Sequence, residues 1–214
     1  MTHKNKSSVL VKAQANKVKL IIIDLYGVMS FGSYKDTCRW LAKKYGFNYE
    51  ACYKIVYHKY FCRAVARKIS EKESFALTAK ELGLKEPGEE LRAKHLSFQT
   101  LNKDIFRLAQ SLKKQGYKVL LLSKNTPGQF RYIINKFKLK EHFKVINPYY
   151  LKFDKQSPKM IRYILKKYNL KPAQVIMTDD QDFNLAYPRK IGVRTVLYKN
   201  FTDFSQQVKQ IINK

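Results

Sequence analysis

Six residues of this sequence could do chemistry together: Asp24, Tyr26, Ser123, Lys155, Asp179 and Asp180. Asp24 closes the apolar run Val18-Lys19-Leu20-Ile21-Ile22-Ile23, and Gly27 follows it. Ser123 closes a second run that begins at Lys118, and Asp179 and Asp180 close a third that begins at Gln174. Lys155 stands in a loop just before Ser157-Pro158. A carboxylate can attack a phosphoryl group when positive charge and hydrogen-bond donors surround that group. Lys155 and the Ser123 hydroxyl, with its backbone N–H, offer both. Asp24 and Asp180 together offer hard oxygen ligands for Mg²⁺, which lets an anionic nucleophile approach an anionic phosphate. Tyr26 occupies the place where a general acid is expected, and a phenol of normal pKa about 10 is a poor base at neutral pH. Taken singly, each residue is an ordinary turn or loop residue. Their order, each after the right kind of element, is what carries meaning.

The elements that must position them read as alternating strands and helices. Strands are expected at residues 18–24, 118–123, 144–146, 174–179 and 194–198. Their near-continuous apolar character is that of strands buried on both faces, as in a parallel sheet. Amphipathic helices are expected between the later ones. The first starts near Asn102, gathers Ile105, Leu108, Ala109 and Leu112 on one face, and stops at Gly116. The second gathers Phe130, Ile133, Ile134 and Phe137. The third opens at Ser157-Pro158, a capping serine with proline in the first turn, and buries Ile161, Ile164, Leu165 and Tyr168. This alternation implies a doubly wound α/β domain.

Residues of about 30–100 break the rhythm and read as helices without a convincing strand. One face carries Tyr49, Cys52, Tyr53, Val56 and Tyr60; the next helix opens on a capping box, Ser70 with Glu73, and ends at Gly83. A helical insertion directly after the first strand stands at the ligand-binding end of the sheet, as a lid; an independent four-helix domain is the alternative. The expected organisation is a basic tail over 1–16, a core of 17–30 with 101–214, and a cap over 31–100.

Composition narrows the classes. The 214 residues are 45% hydrophobic and 14% aromatic, ample for a packed core and against disorder. Three cysteines, Cys38, Cys52 and Cys62, show no metal-site spacing and read as reduced packing residues of a cytoplasmic protein. No apolar run approaches the roughly 20 residues of a membrane span, and the lysine-bearing first 17 residues lack the apolar stretch of a signal peptide. Lys and Arg number 43 against 16 Asp and Glu, a formal charge of +27. That charge suits RNA or another polyanion, but it is spread along the chain with no RNA-binding motif, so a generally basic surface explains it as well. Within 33–68, nine basic residues interleave with aromatics such as Tyr34, Trp40, Tyr53 and Tyr57. They would hold a phosphorylated or nucleotide-like substrate, or form a Tyr-rich helix-pair core with a solvated basic exterior.

In this order the motifs resemble those of the haloacid dehalogenase-like (HAD) hydrolase superfamily, in the branch with a helical cap between its first and second motifs. Asp24-Leu25-Tyr26-Gly27-Val28 resembles the first motif, and Leu121-Leu122-Ser123-Lys124-Asn125 the second. Lys155-Gln156-Ser157-Pro158 resembles the third, with Lys152 as the alternative lysine. Ile176-Met177-Thr178-Asp179-Asp180-Gln181-Asp182-Phe183-Asn184 resembles the fourth, and Arg67-Lys68-Ile69-Ser70-Glu71-Lys72-Glu73 a recurrent turn of the cap.

The resemblance implies a three-layer, Rossmann-like α/β core with a parallel five-stranded sheet and a small all-helical cap. It implies Asp24 as a nucleophile that forms a covalent aspartyl intermediate. Asp24, Asp180 and the Tyr26 main-chain carbonyl would be Mg²⁺ ligands, supported by Asp179 or Asn184, with Ser123 and Lys155 holding the transferred group. Family phosphatases usually carry a second Asp where this chain has Tyr26. Tyrosine stands there in the 2-haloacid dehalogenases, whose halide needs no proton to leave, but those usually have Ser-Ser-Asn in the fourth motif. Their cap arginine has no clear counterpart here, where the Tyr53–Tyr60 segment offers His58 and Lys59. Three readings follow: an Mg²⁺-dependent hydrolase of a phosphorylated small molecule with impaired acid–base function, a degenerate fold that binds RNA or a ribonucleoprotein, and a 2-haloacid dehalogenase. Pro188 should shorten or delay the helix after the fourth motif.

Overall fold

The computed structural model describes residues 17–213; the basic tail expected over 1–16 lies outside them. The chain enters through β1 (Leu20–Asp24), turns into the two-residue β2 (Ser30–Phe31), and passes through the cap. The cap comprises α1 (Tyr34–Tyr45), α2 (Tyr49–Tyr53), a π-helical stretch (Lys54–Phe61), α3 (Cys62–Val65), α4 (Glu71–Glu81) and α5 (Gly88–Ser97). It returns through β3 (Thr100–Leu101). The remainder alternates: α6 (Lys103–Lys114), β4 (Lys118–Leu122), α7 (Pro127–Lys136), α8 (Leu139–His142), β5 (Lys144–Ile146), α9 (Pro148–Leu151), α10 (Pro158–Tyr168), β6 (Val175–Asp179), α11 (Asp182–Lys190), β7 (Arg194–Leu197) and α12 (Phe201–Ile212).

Five strands form one parallel sheet in the order β5-β4-β1-β6-β7. The apolar runs are explained by this burial. Along β1, Ile21 and Ile23 point into a core with Ile105 and Ala109 of α6, Ile133 of α7 and Phe204 of α12. The alternate residues, Leu20 and Ile22, point the other way, against Met160, Ile161 and Ile164 of α10 and Leu185 of α11. A strand with both faces covered must be apolar at every position, and all five residues of β1 are buried. The result is the expected three-layer α/β core.

The cap has its own core, in which Tyr34, Cys38, Leu41, Cys52, Val56, Phe75 and Leu91 meet. The thiols of Cys38 and Cys52 are buried there as packing, and burial pushes the Cys38 thiol up to about 12. The capping box of α4 is present: Glu73 N donates to Ser70 Oγ at 3.0 Å, and Ser70 N to Glu73 Oε2 at 3.4 Å.

Three local expectations change. The segment read as free of strands holds β2 and β3, which pair antiparallel with Ser30 opposite Leu101 and Phe31 opposite Thr100. Runs of two residues leave no periodicity to detect. Ser157 stands at the N-cap of α10, but its hydroxyl donates to Asp154 O at 2.7 Å and does not cap the helix. Pro188 lies inside α11, two residues from its end, where the helix has few further turns to disrupt. Among the described residues no helix is long and apolar enough to cross a membrane.

Candidate active site

The strand order brings the separated motifs together. β1 is central, with Asp24 opposite Leu122 of β4 and Ile23 opposite Thr178 of β6. The next residues along β4 and β6 are Ser123 and Asp179, so both flank Asp24 at the C-terminal edge of the sheet, where open α/β sheets bind ligands. Lys155 is 5% exposed and reaches the same edge from the loop before α10. Its Nζ lies 2.5 Å from Asp24 Oδ1 and 2.6 Å from Asp179 Oδ2. Lys152, the alternative lysine, is exposed and caps α9 in a left-handed conformation; Lys155 is the lysine of the site.

Each carboxylate is held differently. Asp24 Oδ1 takes both Lys155 and the N–H of Leu25, at 2.7 Å, which leaves Oδ2 as the oxygen with lone pairs available to a ligand. Asp179 is engaged at both oxygens, since Gln181 N (2.9 Å) and Asn184 Nδ2 (3.0 Å) donate to Oδ1. Asp180 stands against Gly27, and that glycine is required. Its φ is +91°, and a Cβ there would fall 2.5 Å from the Asp180 carboxylate.

Carboxylate oxygens of Asp24, Asp179 and Asp180 all lie within 4.8 Å of one another. Three carboxylates against one ammonium leave excess negative charge, with Asp24 and Asp179 buried and Asp180 exposed. Burial raises the Asp24 carboxyl well above the usual carboxylate range; Lys155 opposes this, and Asp179 and Asp180 add to it. Burial alone would lower Lys155, but the two carboxylates hold it above its ordinary value. Asp180 is also raised, by burial and by Asp179. An all-oxygen donor set with surplus negative charge fits a divalent hard cation. Beside it, the Ser123 hydroxyl is buried at 1% exposure without a hydrogen-bond partner. Such a group is expected to await a ligand or water.

A cavity of about 260 Å³ rises from Asp24, Ser123, Lys155 and Asp180 to the cap. One wall is an aromatic ladder. Tyr49 and Tyr53 stack at 6.1 Å and 8°, Tyr53 and Tyr57 at 5.0 Å and 5°, Tyr57 and Phe61 at 5.3 Å and 30°. Tyr53, Tyr57 and Phe61 line the cavity while also packing on the cap core, so cavity wall and helix-pair core are the same rings. Tyr57 and Phe61 lie in the π-helical stretch, where Cys62 N donates to Tyr57 O. That change of helical phase divides the single face read from the sequence. Cys52 and Val56 stay in the main cap core, and Tyr60 joins Ala64 and Ile69 in a separate cluster. His58 and Lys59 are exposed; Lys59 pairs with Glu81 at 2.6 Å.

Tyr26 also lines the cavity, but its hydroxyl donates to the Gln129 carbonyl at 3.4 Å. Burial, with Glu71 and Tyr132 adding, raises its pKa far above neutrality. Tyr34 packs against the ladder at Phe61 (4.4 Å); His95 stacks on Tyr34 at 4.2 Å, and its Nδ1 lies 2.8 Å from Thr37 Oγ1. The Gln129 amide donates to the Tyr34 hydroxyl. His95 Nε2 and Gln129 Oε1 are buried without a partner.

Tyr57 stood among the cap aromatics that the sequence pointed to, whereas His95, Gln129 and Glu71 are residues that reading the sequence did not single out. The fourfold spacing of 49, 53, 57 and 61 was a usable signal for the ladder. Glu71 had none, because its partners are distant in sequence. Thr126 Oγ1 donates to its Oε2 at 2.6 Å and Gln129 N at 3.0 Å, while Arg92 Nε lies 2.5 Å from Oε1.

A three-layer α/β core with a helical cap, and acidic residues at adjoining strand ends beneath that cap, define the class. The chain belongs to the haloacid dehalogenase-like hydrolase family, whose model matches residues 41–198. No curated protein is similar enough in sequence to count as a match. Among solved structures, a HAD family enzyme from Bacteroides thetaiotaomicron is 21% identical with a TM-score of 0.74, covering 90% of this chain and 98% of that one. A predicted HAD-like family hydrolase from Porphyromonas gingivalis is 18% identical with a TM-score of 0.73, covering 92% and 99%. The L-2-haloacid dehalogenase from Xanthobacter autotrophicus is 17% identical with a TM-score of 0.62, covering 90% and 83%. At these identities the likeness is one of fold.

Proposed function

We propose that this chain is an Mg²⁺-dependent phosphohydrolase of a phosphorylated small molecule, with Asp24 as nucleophile. The observation that carries the reading is the Lys155 ammonium between Asp24 (2.5 Å) and Asp179 (2.6 Å), beside the unpartnered Ser123 hydroxyl. Lys155 and Ser123 are placed to hold phosphoryl oxygens, and Lys155 together with Leu25 N fixes the Asp24 carboxylate so that Oδ2 faces the incoming group. Asp24, Asp180 and the Tyr26 carbonyl would hold Mg²⁺, and Asp179 would position Lys155 and Asn184. When bound, the metal supplies charge neutralisation for an anionic nucleophile meeting an anionic phosphate. The Bacteroides enzyme has been solved in complex with magnesium and inorganic phosphate, which supports carrying this chemistry to a chain of the same fold.

Tyr26 is the residue that also stands in dehalogenases, and the acidic cluster at Asp179 and Asp180 favours phosphoryl transfer over halide displacement. The test is release of inorganic phosphate from a panel of phosphate esters with and without Mg²⁺. Activity that requires the metal and vanishes in Asp24→Asn is the expected result. Halide release from 2-haloacids without added metal, in place of phosphate release, would overturn it.

A further inference from the structure

We propose that the leaving group is aromatic: the substrate is a phosphate monoester of a phenol-type hydroxyl, small enough to be enclosed with its single ring against Tyr57. This rests on the phosphohydrolase reading and narrows it.

The first line of argument is the proton. A leaving oxygen usually needs a general acid, which contributes about 10²–10⁴-fold. The residue placed to give one is Tyr26, a phenol whose hydroxyl makes a long, weak contact with the Gln129 carbonyl at 3.4 Å and whose pKa burial raises further. The other carboxyls lining the cavity do not replace it. Asp24 and Asp180 belong to the acidic cluster, and Asp36 is held by Ser33 N at 2.8 Å and by Arg39 at 2.9 Å. His95 is pulled down to about 4 by burial and stands neutral, with Nδ1 against Thr37. A site so equipped suits a leaving group that departs as its anion. Phenols, with pKa about 10, do so far more readily than alcohols or sugars.

The second line is the wall, which is independent of the first. The rings of Tyr53, Tyr57 and Phe61 stack on one another, so they present ring edges to the cavity they line, and an aromatic substrate meeting them edge to face gains about 0.5–1.5 kcal/mol beyond burial. At about 260 Å³ the cavity is smaller than pockets for drug-sized ligands, which points to one ring and not to a peptide.

The step balances without an acid. Asp24 Oδ2 attacks phosphorus, the P–O(aryl) bond breaks, and the electron pair leaves on the phenolate, which takes a proton from water. Water then attacks the aspartyl phosphate, the P–O(Asp24) bond breaks, the carboxylate is restored, and the proton the water loses neutralises the hydroxide left when the phenolate was protonated. The products are the phenol and inorganic phosphate.

The test is kcat/KM for substituted phenyl phosphates of graded leaving-group pKa, with glycerol phosphate and glucose 6-phosphate as alkyl esters. The expected result is a steep fall with rising leaving-group pKa and alkyl esters at least ~10²-fold slower, with Tyr26→Asp raising alkyl turnover on the order of 10²-fold. In calorimetry on the Asp24→Asn variant, phenyl phosphate should bind tighter than glycerol phosphate. A further Tyr57→Ala change should erase that preference and Tyr57→Phe should keep it. A flat series, preferred sugar phosphates or equal binding would overturn the aromatic assignment while leaving the phosphohydrolase reading intact. Failure of every ester in both wild type and Tyr26→Asp would overturn the two together.

Discussion

Glu71 of the cap and Thr126 of the core share a hydrogen bond, with the threonine hydroxyl donating to Glu71 Oε2 at 2.6 Å. The same oxygen takes Gln129 N, so a cap carboxylate closes the N-terminus of a core helix, α7, whose own N-cap residue Thr126 makes no capping bond. Negative charge at a helix N-terminus is favourable, and a good cap is typically worth about 1 kcal/mol. Gly128 makes room for it: a Cβ there would lie 2.5 Å from Glu71 Oε2.

Glu71→Ala should therefore lower the melting temperature and weaken cap closure, and Gly128→Ala should do much the same by pushing the carboxylate away. The check is a double-mutant cycle. Once Glu71 is alanine, the Gly128→Ala change should cost little more, whereas full additivity would mean that the two act separately.

His95 predicts an acid limb of stability. Its folded pKa is lowered to about 4 by burial, against about 6.5 when unfolded, so the unfolded state binds more protons between these values. Stability is full above pH about 6.5 and declines as pH falls toward 4, by about 3 kcal/mol from this group. Denaturant unfolding at pH 7.5 and 4.5, in wild type and His95→Asn, isolates the effect by difference. An equal acid loss in both would remove His95 as its source.

Gly27→Ala should damage the acidic cluster directly. The substitution places a methyl group against Asp180 and forces alanine to a φ near +91°, a conformation costly for any residue with a side chain. Mg²⁺ should raise the wild-type melting temperature in a concentration-dependent way, as any ligand selective for the folded state does. That shift should be lost in Gly27→Ala and in Asp180→Asn, and a shift preserved in both would place the metal elsewhere.

Lys155→Met should cost about 3–5 kcal/mol, because it leaves Asp24 and Asp179 buried without their shared cation. Thermal unfolding of the variant measures this. Adding Asp24→Asn to it should recover part of the loss by removing one of the unpaired charges.

How far the sequence disclosed this arrangement depends on where each interaction is encoded. The sheet was legible because strands covered on both faces must be apolar throughout, as Leu20–Ile23 are. Asp24, Ser123 and Asp179 were legible as strand-end residues, and the parallel order did the rest. Lys155 was preferred over Lys152 on its spacing to Ser157-Pro158, and the loop's path brings it to Asp24 and Asp179. The N-cap role of Glu71 was illegible because its partners lie 55 and 58 residues away. The divided faces of the Tyr-rich helix followed from a π-helical stretch that an α-helical period does not anticipate.

The pairing of Ser30–Phe31 with Thr100–Leu101 carries a mechanical consequence. These are the two passages of chain between the core and cap, and hydrogen bonding them to one another turns two tethers into a single stem. A flap on two separate ropes can drift and tilt freely. A flap on one short ribbon has torsion as its soft mode, so that twist is the motion that would carry the aromatic wall over the carboxylates, and the Glu71 contact is the one it would have to break.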